Sequence, residues 1–447
     1  MLRSVYLMTV CSLVLMAITH AEAADWARFR GPNGSGLSED GPVPTEWSET
    51  NNLKWKVALP GPGSSSPIVV GGKVFVTCWT GYGTNRENAG DIKDLLLHLV
   101  CVDRNNGEIL WKKPVEPSGQ EEEFRGMFAE NGYASHTPCS DGERVYAFFG
   151  KSGAVAFDLD GNQLWKTSLG TESDRRGWGS AASPILFEDK VIVPATAESE
   201  AIVALDKKTG EQIWRQEAQG FAGTWGTPVI SQLEDGTQEI VMGVPYEVWG
   251  FNPESGKLKW YAETVDSDSM CSSVVEHEGV VYTIEGRSGG AAAVKVGGKG
   301  DVTDKNVIWS GRNRGRISTP IYYKGNLYWI SSGVANAISA ETGEEVYQAR
   351  IQSSGSSTDR DESSGRSFGR GRGMGGQSYS SPVVADGNMF YVNRSGEATV
   401  IKLGDEFEQL ATNKFAEDSS DYHGTPAISD GQLFIRSNAF LYCVAAE

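Results

Sequence analysis

A Ser/Thr-Pro pair recurs along the chain at a nearly constant interval, and that recurrence limits the fold more than any other feature. Copies stand at Ser66-Pro67, Thr137-Pro138, Ser183-Pro184, Thr227-Pro228, Thr319-Pro320, Ser381-Pro382 and Thr425-Pro426, and an eighth without the proline at Ser272-Ser273-Val274-Val275. Five of the seven intervals lie between 44 and 47 residues, and the two longer ones contain insertions. Each copy continues in one grammar: a short strand, a small turn, a second strand, a third strand ending in Asp, a Gly turn, and a fourth strand carrying Trp. Leu205-Asp206-Lys207-Lys208-Thr209-Gly210-Glu211-Gln212-Ile213-Trp214 shows the ending most clearly, with relatives ending at Trp111, Trp165 and Trp260. The sixth copy puts Tyr347 in place of Trp, the seventh has no aromatic there, and the fifth is stretched by Gly297 to Asp304 before Trp309. Four short strands per unit of about 45 residues is the pattern of a propeller blade, and eight anchors give eight blades.

The expected fold is therefore all-β, an eight-bladed β-propeller of four-stranded antiparallel blades over residues 52–447. The last unit ends in its third strand, at Leu441-Tyr442-Cys443-Val444. A spare Trp-bearing strand, Leu53-Lys54-Trp55-Lys56-Val57-Ala58-Leu59, precedes the first anchor. Closure of the ring by this N-terminal strand in the last blade removes two exposed sheet edges. The 54 glycines, about 12% of the chain against an average near 7%, belong to the turns of these units.

The N-terminus reads as an address. Arg3 precedes a mostly apolar run from Val5 to Ile18, and Ala21-Glu22-Ala23 supplies small residues for cleavage after Ala23. The run falls short of the roughly 20 residues that cross a bilayer. Residues 1–23 are thus read as a signal peptide and 24–51 as an N-terminal arm. The mature chain is expected in the periplasm or outside the cell, with no transmembrane segment, as a monomer. It keeps five cysteines, Cys78, Cys101, Cys139, Cys271 and Cys443, so at least one thiol has no partner within the chain. Cys101 and Cys443 read as small buried hydrophobes. The formal charge of −18 argues against nucleic acid as a partner.

The Asp-x-x-x-Gly-x-x-x-Trp ending with its Ser/Thr-Pro start resembles the pyrroloquinoline quinone (PQQ) repeat family over about residues 52–447. That family includes quinoprotein alcohol dehydrogenases and non-catalytic BamB-like outer-membrane assembly proteins. Asp25-Trp26-Ala27-Arg28-Phe29-Arg30-Gly31-Pro32-Asn33-Gly34-Ser35-Gly36 is similar to the start of many exported PQQ-like propellers. In the quinoproteins the resemblance implies PQQ over the channel with a stacked Trp, an adjacent Cys-Cys disulfide and a calcium ion. This chain has no Cys-Cys dipeptide and no Cys-x-x-Cys haem motif. Asp158-Leu159-Asp160-Gly161-Asn162 looks superficially like a calcium loop but occupies the turn between a third and a fourth strand, without the required Glu.

Loops entering the first strands converge at one mouth of the channel, so residues just before the anchors are its expected lining. These are Ser64, Ser65, His136, Trp178, Ser180, Trp225, Met270, Cys271, Arg316, Tyr379, Tyr422 and His423, with Glu285 and Arg287 pointing to the axis or forming an ion pair. The expected ligand-binding set is His136, Trp178, Trp225, Arg287, Arg316, Tyr379 and His423; no catalytic residue and no metal ligand is assigned. Three segments stand outside the repeat: Thr80–Leu95, Gln120–Glu130 as a short lid, and the Ser/Gly/Arg-rich loop 353–379. The expected function is a binding or scaffold module of the cell envelope, for an envelope or secreted protein or a small molecule at the channel mouth. The alternative is a PQQ-dependent dehydrogenase using PQQ with calcium.

Overall fold

The computed structural model describes residues 25–285, 289–313, 315–353 and 377–446. The expected signal peptide, Arg287 and most of the segment 353–379 lie outside them. Eight antiparallel sheets follow one another around an axis, and each contains the four strands of one repeat. Blade 1 comprises Ile68–Val70, Lys73–Thr80, Leu96–Asp103 and Ile109–Val115. Blades 2 to 7 open at Cys139, Ile185, Val229, Val275, Ile321 and Val383. Blade 8 opens at Ala427–Ser429, and its outer strand is Leu53–Ala58, antiparallel to Phe440–Val444 with Trp55 opposite Cys443. The ring is closed by the chain's own N-terminal strand.

Burial follows position within the blade. The second strand of blade 3, Lys190–Ala195, is buried at every residue, because it has blades on both faces. The outer strand Ile109–Val115 is only partly covered and alternates, as a strand with one solvated face must. Cys78, Cys101, Cys139 and Cys443 are buried and all five thiols are free, which fits the reading of Cys101 and Cys443 as small hydrophobes.

The repeated Trp is the seam between blades. Each indole donates to a carbonyl in the third-to-fourth-strand turn of the next blade: Trp55 to Arg104, Trp111 to Leu159, Trp165 to Lys207, Trp214 to Pro253 and Trp309 to Ala340, at 2.8–3.2 Å. The turn glycine of that next blade lies flat beneath the ring. At Gly210, with φ +73°, an added Cβ would stand 2.5 Å from Trp165, so both the backbone and the contact require glycine. Trp260 departs from the rule because the fifth repeat is stretched and offers no such turn. Its indole instead donates 2.6 Å to the buried Glu239 carboxylate within its own blade.

The Ser/Thr of each anchor has an equally specific role. The backbone N–H of Ser66 donates to the Thr137 hydroxyl, Thr137 to Ser183, Ser183 to Thr227, Thr227 to Ser273, Ser273 to Thr319, Thr319 to Ser381, Ser381 to Thr425, and Thr425 back to Ser66. All eight distances are 2.9–3.0 Å. The eight side chains are nearly fully buried. They form an unbroken hydrogen-bonded hoop around the axis, with Ser and Thr in strict alternation.

The N-terminal arm closes one end of the channel. Trp26 bridges Val69 of blade 1, Ala27 accepts from Ser140 of blade 2, and Asn33 exchanges two hydrogen bonds with Ile230 of blade 4. Arg28 donates to Pro228 and the fully buried Arg30 to Pro320, the residues that follow two hoop threonines. Leu37–Ser38 then adds a short parallel strand to blade 7. The arm thus runs beneath the hoop from blade to blade, and Phe29 points into the channel.

Candidate functional site

Above the hoop lies an axial cavity of about 150 Å³. All eight hoop residues contribute to its lining, and Phe29 lines it as well. Around the mouth stand Ser64, Trp178, Ser180, Trp225, Cys271, Arg316, Tyr379 and His423, all expected from their place before an anchor. Met127, Asn131 and Gln377 complete the rim.

The indoles of Trp178 and Trp225 pack against one another, with centroids 4.9 Å apart and planes 33° from parallel. Trp225 is held by an Nε1–H donated to Gly179 at 2.7 Å. The guanidinium groups of Arg176 and Arg316 lie 5.1 and 5.9 Å from the Trp178 ring, within cation–π range. Arg176 is engaged by Asp268 at 2.9 Å, whereas the Nε of Arg316 is buried without a partner. Tyr379 stacks on His423 at 5.3 Å, and His423 Nδ1 is 3.1 Å from Asn131 Oδ1.

Four expected positions fall elsewhere. His136 sits one step behind the rim in a smaller pocket, its Nε2 3.0 Å from Ser180 Oγ and its ring against Phe148. Ser65 is turned into the body, where it meets Arg436 at the end of the second strand of blade 8. Met270 is fully buried beneath Gly243. Tyr422 packs on Gly396 and donates to Asp418 at 2.9 Å. All four lie outside the regular strands, where no sequence periodicity fixes the direction of a side chain. Glu285 caps the entry to blade 5, accepting from the N–H groups of Cys271 and Ser272 at 2.8 and 2.9 Å. Asp158 is a turn residue that accepts from the N–H groups of Asp160 and Asn162.

Ser180 links the two pockets, because its hydroxyl also donates to Glu198. Burial pushes the Glu198 carboxyl up to about 7, and the Ser180 hydrogen bond only partly opposes it. Burial lowers the His136 imidazole to about 3, so it is neutral.

Residues 120–131 run over the mouth. Phe124 and Phe128 pack on Tyr133, Tyr133 donates to Glu122 at 2.6 Å, and a short helix over Phe128–Asn131 brings Asn131 to the cavity. Glu130 fastens this strap to two distant elements: Arg394 of blade 7 at 2.6 Å and Arg86 of the Thr80–Leu95 insertion at 2.9 Å. Burial would raise the Glu130 carboxyl, but both arginines hold it below the usual range. Arg394 also binds Asp421 at 2.8 Å, which joins the strap to the loop carrying His423.

The family model described as outer membrane protein assembly factor BamB matches residues 97–218 and 151–405, more than half the chain. The chain belongs to this BamB family. Curated relatives are distant: a polyvinylalcohol dehydrogenase from Sphingopyxis sp. is 22% identical over 260 residues, 48% of this chain and 36% of that protein. A tetrathionate hydrolase from Acidithiobacillus ferrooxidans is 20% identical over 343 residues, 68% of this chain and 62% of that one. The chain therefore matches less than two thirds of either relative. BamB from Moraxella catarrhalis superimposes with a TM-score of 0.55 at 11% identity, covering 88% of this chain and 98% of its own. A europium-containing methanol dehydrogenase gives 0.60 at 12% identity, covering 94% and 98%. At such identities the likeness establishes the propeller alone, and BamB-family membership leaves the chemistry of the cavity to its own residues.

Proposed function

We propose that this chain is an exported binding module of the cell envelope whose channel mouth receives its ligand or partner, and not a quinoprotein dehydrogenase. One observation carries the reading: no described residue lining the axial cavity is Asp or Glu. Oxidation of an alcohol requires a base at the reacting hydroxyl, and a calcium ion requires several oxygen ligands of which carboxylates are the strongest. The cavity offers hydroxyls, amides, indoles and a guanidinium instead. No cluster of three or more His, Cys, Asp or Glu side chains among the described residues is arranged to hold a metal. Two buried carboxylates border the cavity without lining it: Glu198 is engaged by Ser180 in the neighbouring pocket, and Glu285 accepts from the N–H groups of Cys271 and Ser272. A tricyclic quinone with calcium therefore does not fit these side chains.

Export rests on the N-terminal sequence, and no helix among the described residues is long and apolar enough to cross a membrane. Binding at the mouth is supported by the rim of aromatic and polar groups and by the strap that partly covers it. The discriminating experiment adds PQQ and calcium to the purified protein and follows quinone absorbance and dye reduction with primary and secondary alcohols. No saturable cofactor binding and no turnover are expected; stoichiometric PQQ with turnover would replace this reading with the dehydrogenase.

A further inference from the structure

We infer that the axial cavity takes a small carboxylate carrying one flat ring, with the ring against the Trp178–Trp225 pair and the carboxylate received by Arg316 and the hydroxyl hoop. The inference deepens the binding-module reading and rests on it.

The hoop is the first ground. A hydroxyl has one proton to donate and two lone pairs to accept with. Each hoop hydroxyl uses a lone pair to accept the N–H of the preceding blade. None of the eight donates its own proton to a protein acceptor among the described residues, and all eight line the cavity. The floor is therefore a circle of O–H donors seeking acceptors.

Charge is the second ground. The molecule carries a formal charge of −18, yet among the described residues lining the cavity the one Lys, Arg, Asp or Glu side chain is Arg316. Arg316 lines the cavity, forms no ion pair with a described carboxylate, and keeps an unpartnered buried Nε. Below the hoop, Arg30 is fully buried and donates only to the carbonyls of Gly34, Ser35 and Pro320. Burial lowers its guanidinium to about 9. No Asp or Glu among the described residues lines the cavity beside Arg316. Hydroxyl donors that converge beside a guanidinium with no carboxylate in the lining select an anion.

Shape is the third ground. A cavity near 150 Å³ is the size that accommodates benzene. Two indoles, with Tyr379 and Phe29, supply flat apolar walls, which favour a planar ring over a bare oxyanion. The strap residues Met127 and Asn131 limit the ligand's length.

Calorimetric titration of the full mature chain with benzoate, benzamide and sulfate separates these grounds. Benzoate is expected to bind saturably and at least tenfold more tightly than neutral benzamide or ringless sulfate. Arg316→Gln should weaken benzoate at least tenfold without changing the far-UV spectrum, and Arg316→Lys should restore part of it. Trp178→Leu should weaken benzoate while leaving sulfate unchanged. Equal binding of benzamide overturns the anion requirement, equal binding of sulfate overturns the ring, and no benzoate heat at millimolar concentration overturns the whole inference. Failure here leaves the negative PQQ result standing. Turnover with PQQ would instead remove the reading on which the inference rests.

Discussion

Replacing Thr227 and Thr425 by Val tests whether the hydroxyl hoop stabilises the ring. The two stand in blades 4 and 8, on opposite sides of the axis. Val keeps the branched shape and removes the hydroxyl, both the acceptor of the neighbouring N–H and the free O–H donor. The N–H groups of Ser183 and Ser381, now 2.9 Å from a hydroxyl oxygen, would then face a methyl group. Leaving a buried donor unpaired costs about 1–3 kcal/mol, with the low end applying where cavity water can reach it. The sites share no partner, so their effects should add to about 2–6 kcal/mol. A chain of this length has an unfolding entropy of roughly 0.9 kcal/mol/K near 60 °C, so the double variant should melt roughly 2–6 °C lower by calorimetry. The opposite sign is the natural competitor, because Val is more apolar than Thr and better suited to strands. A double variant melting at or above the parent temperature would refute the idea that the hoop hydroxyls hold the blades together.

Two further outcomes follow from the same contacts. Deleting residues 53–58 removes the outer strand of blade 8 and the Trp55 seam to Arg104, so size-exclusion chromatography should show no folded monomer; a compact monomer would contradict closure by that strand. Glu198 should make the protein less stable as pH rises. Its carboxyl moves from an ordinary 4.5 to about 7 on folding, so between those values the unfolded chain has released a proton that the folded chain retains. This contribution is complete below pH 4.5 and lost as pH passes 7, by up to about 3 kcal/mol. Glu198→Gln keeps an acceptor for Ser180 and should flatten the slope in urea titrations at pH 5 and 7.5; an unchanged slope refutes the assignment.

The repeat made the fold legible because each of its marks answers to one physical demand. Trp covers a seam, Gly lies under that Trp, and the closing strand repeats the text of the other outer strands, so blade number and closure can be read in order along the chain. Where a mark fails, the structure changes with it. The stretched fifth repeat leaves Trp260 without a turn carbonyl, and the chain supplies Glu239 instead, a buried carboxylate 21 residues upstream that no local pattern announces. The hydroxyl before each proline was visible as a recurrence. Its purpose was not, because the partner of each N–H lies 44 to 71 residues away in the neighbouring blade, and for Thr425 at the opposite end of the chain.

The candidate site was legible only as far as symmetry reaches. Residues just before the anchors are bound to gather at one mouth, which is why Trp178, Trp225, Arg316, Tyr379 and His423 meet there. What distinguishes one propeller from another lies in text the symmetry does not govern. Met127 and Asn131 come from an insertion folded back over the mouth by Glu130, whose partners Arg394 and Arg86 are 264 and 44 residues distant. Phe29 arrives from the opposite end, on an arm that crosses under the ring. A symmetric hoop of hydroxyls has no preference among ligands, since it offers the same donor in every direction. Selectivity must therefore come from the elements that break the symmetry: one indole pair on one side, one guanidinium beside it without an ion-pair partner among the described residues, a strap above and a plug below. This is the physical reason that a repeat can specify a fold over nearly the whole chain and still leave its ligand to a few unrepeated residues.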